Sequence, residues 1–368
     1  MAATPPGAKL AQKIRETEDV TINLLLTRRC NYSCRMCMYA SGPKMPADPM
    51  RREDLTEIKG FLDEISLSLK PETNISVNLI GGEPTLDMEH LENVLSTVAS
   101  WERPQRDDCE WTNGISLEMT TNGWWLESYK DTVAFAKAVW TELSEERLIV
   151  RISNSAYHDE FRSPALSHLF KDEPRESYGY GGGRKTSKLE DYLQELGYEG
   201  CTEDEDGNYN EPQDLWLLEE LRKAAEACHL YIDSKLGGPE KVSPVGRAKT
   251  NGIGWQDGEC HATSGIKFTF MPTKDGERPG RLYDPCCNGG KVPLGFADEG
   301  LGLLIKRALF MEALHKEFPK PKGTSAPSPL QGDRCRQCPS FGAKWLKENR
   351  RGLERKVAAL TRKAQIAT

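Results

Sequence analysis

TINLLLTRRCNYSCRMC, residues 21–37, sets a short apolar run directly against three cysteines. Residues 21–27 are bounded by polar residues and read as a buried strand. Cys30, Cys34 and Cys37 follow in a loop, at spacings of four and three. A closed tetrahedral metal site takes four ligands. Either the fourth lies far along the chain, or one position is left open.

The rest of the N-terminal half repeats the strand-then-loop pattern. Leu55, Ile58, Leu62, Ile65 and Leu69 recur at three-four spacing, as on an amphipathic helix. ISVNLI (75–80) is a second strand and runs into Gly81-Gly82-Glu83-Pro84. A helix with Leu91, Val94, Leu95 and Val98 on one side follows. ISLEM (115–119) ends in Thr120-Thr121-Asn122-Gly123, residues 132–140 are helical, and LIVRI (148–152) ends in SNSAYHDEF. Leu215, Leu218, Leu221 and Ala225 mark a further helix, and HLYID (229–233) a further strand. Strands alternating with helices imply βαβ units and a parallel sheet. The unusual residues lie just after the strands, at the end where such sheets place their active sites. The pattern alone leaves full closure, partial closure and an open sheet as alternatives.

Composition narrows the class. The chain has 368 residues and a net charge of −7, which gives no overall pull toward nucleic acid or membrane. No apolar run approaches the roughly 20 residues of a membrane span. The first nineteen residues read as a leader without a secretory core, so a cytoplasmic location is expected. Eleven cysteines in that setting argue for metal ligation over a disulfide framework.

Residues 171–214 break the rhythm. YGYGGGRK is loop-like, and residues 197–214 hold seven acidic and no basic residues. A solvated acidic insertion is the plainer reading, a lid the sharper one. After about residue 236 glycine and proline increase. IKFTF (266–270) and RLYD (281–284) form an expected hairpin, with Cys260 before it and Cys286-Cys287 after it. A helix near 301–317, a proline-rich loop and Cys335-x2-Cys338 complete a second module at 237–343. The segment 344–368 is a basic helix whose Leu346, Leu353, Val357 and Leu360 form an apolar stripe. Docking on its own protein is the plainer use of that stripe, contact with an anionic partner the alternative.

Three thiolates can hold three irons of a four-iron, four-sulfur cluster, leaving the fourth iron for a small molecule. Zinc is the competing metal, but its usual signature is a second nearby CxxC pair. The next Cys or His after Cys37 is His90, on a predicted helix.

C-x3-C-x2-C directly after the first strand of a βα series resembles the radical S-adenosylmethionine (SAM) superfamily. The supporting motifs stand in that family's order: Gly81-Gly82-Glu83-Pro84 after the second strand, Thr120 to Gly123 after the third, and Ser153 and Ser155 with His158 and Arg162 after the fourth. Val245-Gly246-Arg247-Ala248 resembles a later segment. The resemblance covers about residues 20–250 and implies a partial (β/α)6 barrel over residues 20–236. It implies a [4Fe-4S] cluster on Cys30, Cys34 and Cys37 and SAM contacts from Met36, Gly81, Gly82, Glu83, Pro84, Thr121, Asn122, Ser153, Ser155 and Arg162. Met36 departs from the family, which often places an aromatic residue there, and SNS lacks the acidic residue that usually follows the serine. Cys260, Cys286, Cys335 and Cys338 resemble an auxiliary-cluster module of the SPASM or twitch type, with Cys287 the alternative to Cys286 and zinc the alternative to iron–sulfur.

The resemblance implies reductive cleavage of SAM to a 5′-deoxyadenosyl radical, then removal of a hydrogen atom from substrate. An electron donor such as flavodoxin or ferredoxin is implied as partner. The outcome is oxidation, isomerisation or bond formation, on a small molecule or natural-product intermediate. One alternative is a macromolecular substrate, a peptide or modified nucleic acid. An alternative of another class is a non-catalytic iron–sulfur or zinc protein.

Overall fold

The computed structural model describes residues 16–37, 39–104, 114–127, 129–142, 148–153, 158, 160–163, 183–186, 228–233, 266–283, 293–317 and 331–367. Four strands head the chain: β1 (Asp19–Leu25), β2 (Asn74–Ile80), β3 (Ile115–Thr121) and β4 (Leu148–Ile152). Between them lie α1 (Arg52–Ser68), α2 (Met88–Ala99) and α3 (Tyr129–Glu142). Then come β5 (Gly183–Thr186), β6 (Cys228–Asp233), β7 (Ile266–Met271), β8 (Arg281–Tyr283) and β9 (Gly295–Phe296), and finally α4 (Leu301–Glu317) and α5 (Gln331–Ala367).

The nine strands among the described residues join one mixed sheet, in the order β5-β6-β4-β3-β2-β1-β7-β8-β9. The run from β6 to β7 is parallel throughout. The two edges are antiparallel, β5 on one side and β8 with β9 on the other. β1 and β2 pair in register from Asp19 with Asn74 to Leu25 with Ile80, so both strands end at the same level. That common ending brings the cysteine loop beside GGEP.

The helices form where the apolar spacing places them. α1 buries Leu55, Ile58, Phe61, Leu62 and Ile65. α2 buries Leu91, Val94, Leu95 and Val98 after an Asp87 cap that accepts from the His90 N–H at 3.0 Å. Phe61 meets Phe268 edge-on at 4.9 Å and Phe270 at 5.6 Å, so α1 lies over β7.

The hairpin expected at 266–283 is present as β7 and β8. It does not stand as a sheet of its own: β7 lies parallel to β1. Its buried Phe268, Thr269 and Phe270 show why. A strand buried on both faces needs neighbours on both edges. The hairpin is pinned to α1 by Asp54, which is fully buried. Asp54 accepts from Thr273 Oγ1 at 2.6 Å, Gly280 N–H at 2.9 Å and Arg51 N–H at 3.1 Å.

Residues 183–186, read from sequence as loop, form the edge strand β5. Their pairing with β6 comes from that strand's open edge and not from an apolar pattern in GRKT. Cys335 and Cys338 lie on α5, one helical turn apart. The basic tail is likewise the second half of α5, since the helix runs unbroken through residue 343. Its stripe docks inward: Leu346, Leu353 and Val357 are buried, and Trp345 packs on Phe310 of α4 at 5.8 Å. Among the described residues no helix is long and apolar enough to cross a membrane.

Candidate functional site

The backbone beyond β1 and β2 stays zipped past the strand ends. Leu26 N–H donates to Ile80 O at 2.8 Å, Gly82 N–H to Thr27 O at 2.7 Å and Glu83 N–H to Arg29 O at 3.0 Å. Glycine is required for this approach. A Cβ at Gly82 would sit 1.9 Å from the Arg29 carbonyl oxygen, and one at Gly81 (φ 156°) would sit 2.7 Å from that of Thr27.

The cysteine loop opens from this zipper and closes again at Gly42. Cys30 N–H donates to Gly42 O, and Gly42 N–H to Arg28 O, both at 3.3 Å. Inside the loop Cys37 N–H donates to Cys34 O at 3.1 Å. Ala40 adopts the left-handed conformation (φ 52°), and the next N–H, of Ser41, meets Cys37 Sγ at 3.3 Å. Cys30 Sγ accepts from Tyr32 N–H at 3.4 Å. Cys30 and Cys34 are buried and Cys37 is half-buried, packed among Tyr32, Met36 and Trp124.

Burial pushes the Cys30 thiol up to about 12, with the charge of Glu83 as the next cause. A thiolate there needs a compensating cation, and N–H groups aimed at sulfur suit a metal-bound thiolate. Among the described residues no three His, Cys, Asp or Glu side chains close on a single metal ion. A four-iron cluster asks for a wider arrangement, with each thiolate on its own iron. Three cysteines on one enclosed loop, two with N–H donors at sulfur, fit that group.

Glu83 is fully buried. Its Oε1 accepts from Thr121 Oγ1 and Thr85 Oγ1, each at 2.7 Å, and from Thr85 N–H at 3.2 Å. Its Oε2 accepts from Asn122 N–H at 2.7 Å. Burial raises its pKa, outweighing the Asn122, Thr121 and Thr85 hydrogen bonds that lower it. The carboxylate therefore holds the end of β2 to the end of β3, a role its motif did not disclose.

The same turn continues toward β4. Ser153 N–H donates to Thr121 O at 2.8 Å. Arg162, also buried, donates from Nη2 to the carbonyls of Asn122, at 3.4 Å, and Ser153. Its guanidinium thus serves backbone carbonyls of two strand ends. The segment around it also clasps the cysteine loop: Phe161 stacks on Tyr32 at 5.5 Å, and Arg35 pairs with Glu160 at 2.5 Å.

Of the residues singled out from sequence, Cys30, Cys34, Cys37, Met36, Gly81, Gly82, Glu83, Pro84, Thr121, Asn122, Ser153 and Arg162 lie in the described part. The strand ends and the loop beyond β1 draw the cysteines, GGEP, Thr121 and Asn122 into one connected network. Ser155, Cys260, Cys286, Cys287, Arg247, the acidic stretch 197–214 and the helix marked by Leu215 to Ala225 lie outside the described residues. The sequence motifs single out neither Thr85 nor Asn31. Trp124 Nε1–H donates to Thr85 Oγ1 at 2.8 Å, and Asn31 Oδ1 accepts from Asn122 Nδ2 at 2.9 Å. Thr85 carried a signal: a hydroxyl two residues after an acid that opens a short helical turn.

No family model matches the chain, and no curated protein does. Among solved structures it is similar to BtrN in complex with AdoMet and 2-DOIA: 11% identity, TM-score 0.40, covering 84% of this chain and 95% of that one. It is similar to anSMEcpe with bound AdoMet: 15% identity, TM-score 0.36, covering 93% and 98%. With bound AdoMet and Kp18Cys peptide, anSMEcpe matches at 16% identity and TM-score 0.37, covering 88% and 97%. All three neighbours are described with bound AdoMet. All three TM-scores lie below 0.5, so the functional reading rests on the strand-end residues themselves.

Proposed function

We propose that the chain is a radical SAM enzyme that takes a hydrogen atom from a small molecule or natural-product intermediate. One observation carries the reading: three cysteines sit on one enclosed loop that is zipped, backbone to backbone, against Gly81-Gly82-Glu83. In this reading Cys30, Cys34 and Cys37 hold a [4Fe-4S] cluster, and SAM lies along the ends of β1 to β4. When bound, the cluster would supply the one electron for reductive cleavage of SAM to methionine, and the 5′-deoxyadenosyl portion released would take the hydrogen atom.

The chain's own residues do the rest. The N–H groups of Tyr32 and Ser41 support the sulfurs of Cys30 and Cys37. Gly81 and Gly82 leave a backbone edge without side chains, where an amino-acid portion can approach. Met36, beside the cysteines, offers a thioether that packs on a purine. Glu83 and Arg162 act through the turn at Thr121 and Asn122 by holding it in place. Cys30 and Cys34 are buried, as a site that has to protect a reactive intermediate from water requires. A flavodoxin or ferredoxin is the proposed electron donor, and Cys335 with Cys338 on α5 supply half of a proposed auxiliary site with Cys260 and Cys286.

Iron and sulfide content tests the cofactor. After anaerobic reconstitution the wild-type chain should hold about eight irons, and each of C30A, C34A and C37A about four. Wild-type iron retained in all three variants would refute the assignment of the loop. Zinc in place of the second four irons would reassign the C-terminal cysteines alone.

A further inference from the structure

Asn122 uses every polar atom it has. Its N–H donates to Glu83 Oε2 at 2.7 Å, and its carbonyl accepts from Arg162 Nη2 at 3.4 Å. Its Oδ1 accepts from Trp124 N–H at 3.0 Å. Its Nδ2 donates to Asn31 Oδ1 at 2.9 Å and to Cys30 Sγ at 3.8 Å. The side chain is buried, 6% exposed. A carboxamide nitrogen carries two hydrogens, one for Asn31 and one for Cys30. The turn itself needs only the N–H, the carbonyl and Oδ1. The contact to sulfur is an addition that the turn does not require.

We infer that Asn122 is a positioning residue that fixes the first cysteine and raises the reduction potential of the cluster bound there, by donating Nδ2–H to Cys30 Sγ. The inference rests on the radical SAM reading. A hydrogen bond to a ligand sulfur strengthens as electron density on the cluster rises, so it favours the reduced state. With Tyr32 N–H, Cys30 Sγ receives one donor from its own loop and one from the end of β3. The second is set by sheet register, since β2 and β3 pair through Leu79 and Met119, just before the two turns.

The test is an electron-paramagnetic-resonance redox titration of the reconstituted full chain, following the cluster signal that changes when SAM is added. N122A removes both side-chain hydrogens. N122D keeps the acceptor for Trp124 N–H but places an oxygen and a charge at the sulfur. W125F loosens the same turn, since Trp125 Nε1–H donates to Thr121 Oγ1 at 3.3 Å, without touching Cys30. The expected result is a midpoint shifted negative in N122A, shifted further in N122D, and unchanged in W125F. Midpoints of N122A and N122D equal to wild type overturn the inference. If N122A loses iron while W125F keeps it at matched thermal stability, the positioning role stands; equal iron loss in both overturns it. A wild-type chain that shows no SAM-sensitive signal brings down the cluster reading itself, and the inference with it.

Discussion

Glu83 and Asn122 are 39 positions apart, and the Asn122 N–H donates to Glu83 Oε2 at 2.7 Å. This bond joins the ends of two neighbouring parallel strands inside a buried polar cluster. Replacing Glu83 with alanine leaves the hydroxyls of Thr121 and Thr85 and two backbone N–H groups without their acceptor. A loss of about 1–3 kcal/mol or more is expected, measured by chemical denaturation. E83Q, which keeps the shape, should lose less.

The raised pKa of Glu83 gives the pH dependence a sign. Between the ordinary carboxylate value of 4.5 and the raised folded value, the folded chain holds a proton that the unfolded chain has released. Stability from this group is therefore complete below the unfolded value and falls as pH rises through the folded one. E83Q removes this dependence. Denaturation midpoints of wild type and E83Q should diverge in slope across that window, with wild type losing relatively more stability as pH rises. Parallel curves would count against a proton at Glu83.

Gly82 tests the zipper. A Cβ there meets the backbone oxygen of Arg29, which has no flexible end to swing aside. G82A must force the end of β2 away from the cysteine loop, at about 1–3 kcal/mol or more. The expected outcome is a lower Tm together with iron loss after reconstitution. G352A is the contrast: a Cβ at Gly352 meets nothing within 4 Å, so stability should hold or rise slightly.

Asp54 tests whether the hairpin depends on α1. It is buried, receives Thr273 Oγ1, Gly280 N–H and Arg51 N–H, and lies 3.7 Å from the Arg51 guanidinium. D54A strands these donors, so a loss of about 3–5 kcal/mol is expected by chemical denaturation. A change below about 0.5 kcal/mol would mean that β7 and β8 are held by apolar packing alone.

The two faces of α5 should separate cleanly. L353A opens a hole under a buried side chain and should cost about 2–5 kcal/mol. Arg350, Arg351 and Arg355 are exposed, and Arg350 pairs with Glu354 of the same helix at 3.1 Å. Reversing all three to glutamate should change stability by about 0.5 kcal/mol or less per site. On a small substrate, turnover and uncoupled SAM cleavage should stay in the same ratio. A selective loss of turnover would move the substrate toward an anionic macromolecule.

Much of the fold is legible in the sequence because its signals are local. TINLLL, ISVNLI and LIVRI alternate burial strongly enough to mark strands β1, β2 and β4. The glycines of GGEP mark a close backbone approach. What stays hidden depends on partners distant in the chain. GRKT becomes β5 only because β6 offers an open edge. Nothing local places the hairpin beside β1; the packing of Phe268 and Phe270 under Phe61 does. The motifs of Glu83 and Arg162 do not disclose their protein partners Thr121, Asn122 and Ser153, which strand register chooses.

The cysteine loop and the strand ends together are proposed to activate SAM. The most direct measurement is 5′-deoxyadenosine formation after anaerobic reconstitution with iron and sulfide, then addition of dithionite and SAM. The expected result is the product from wild type and none from C34A. Absence of 5′-deoxyadenosine from wild-type protein that carries its full iron and sulfide would contradict the proposed activation, and would leave a non-catalytic cluster protein in its place.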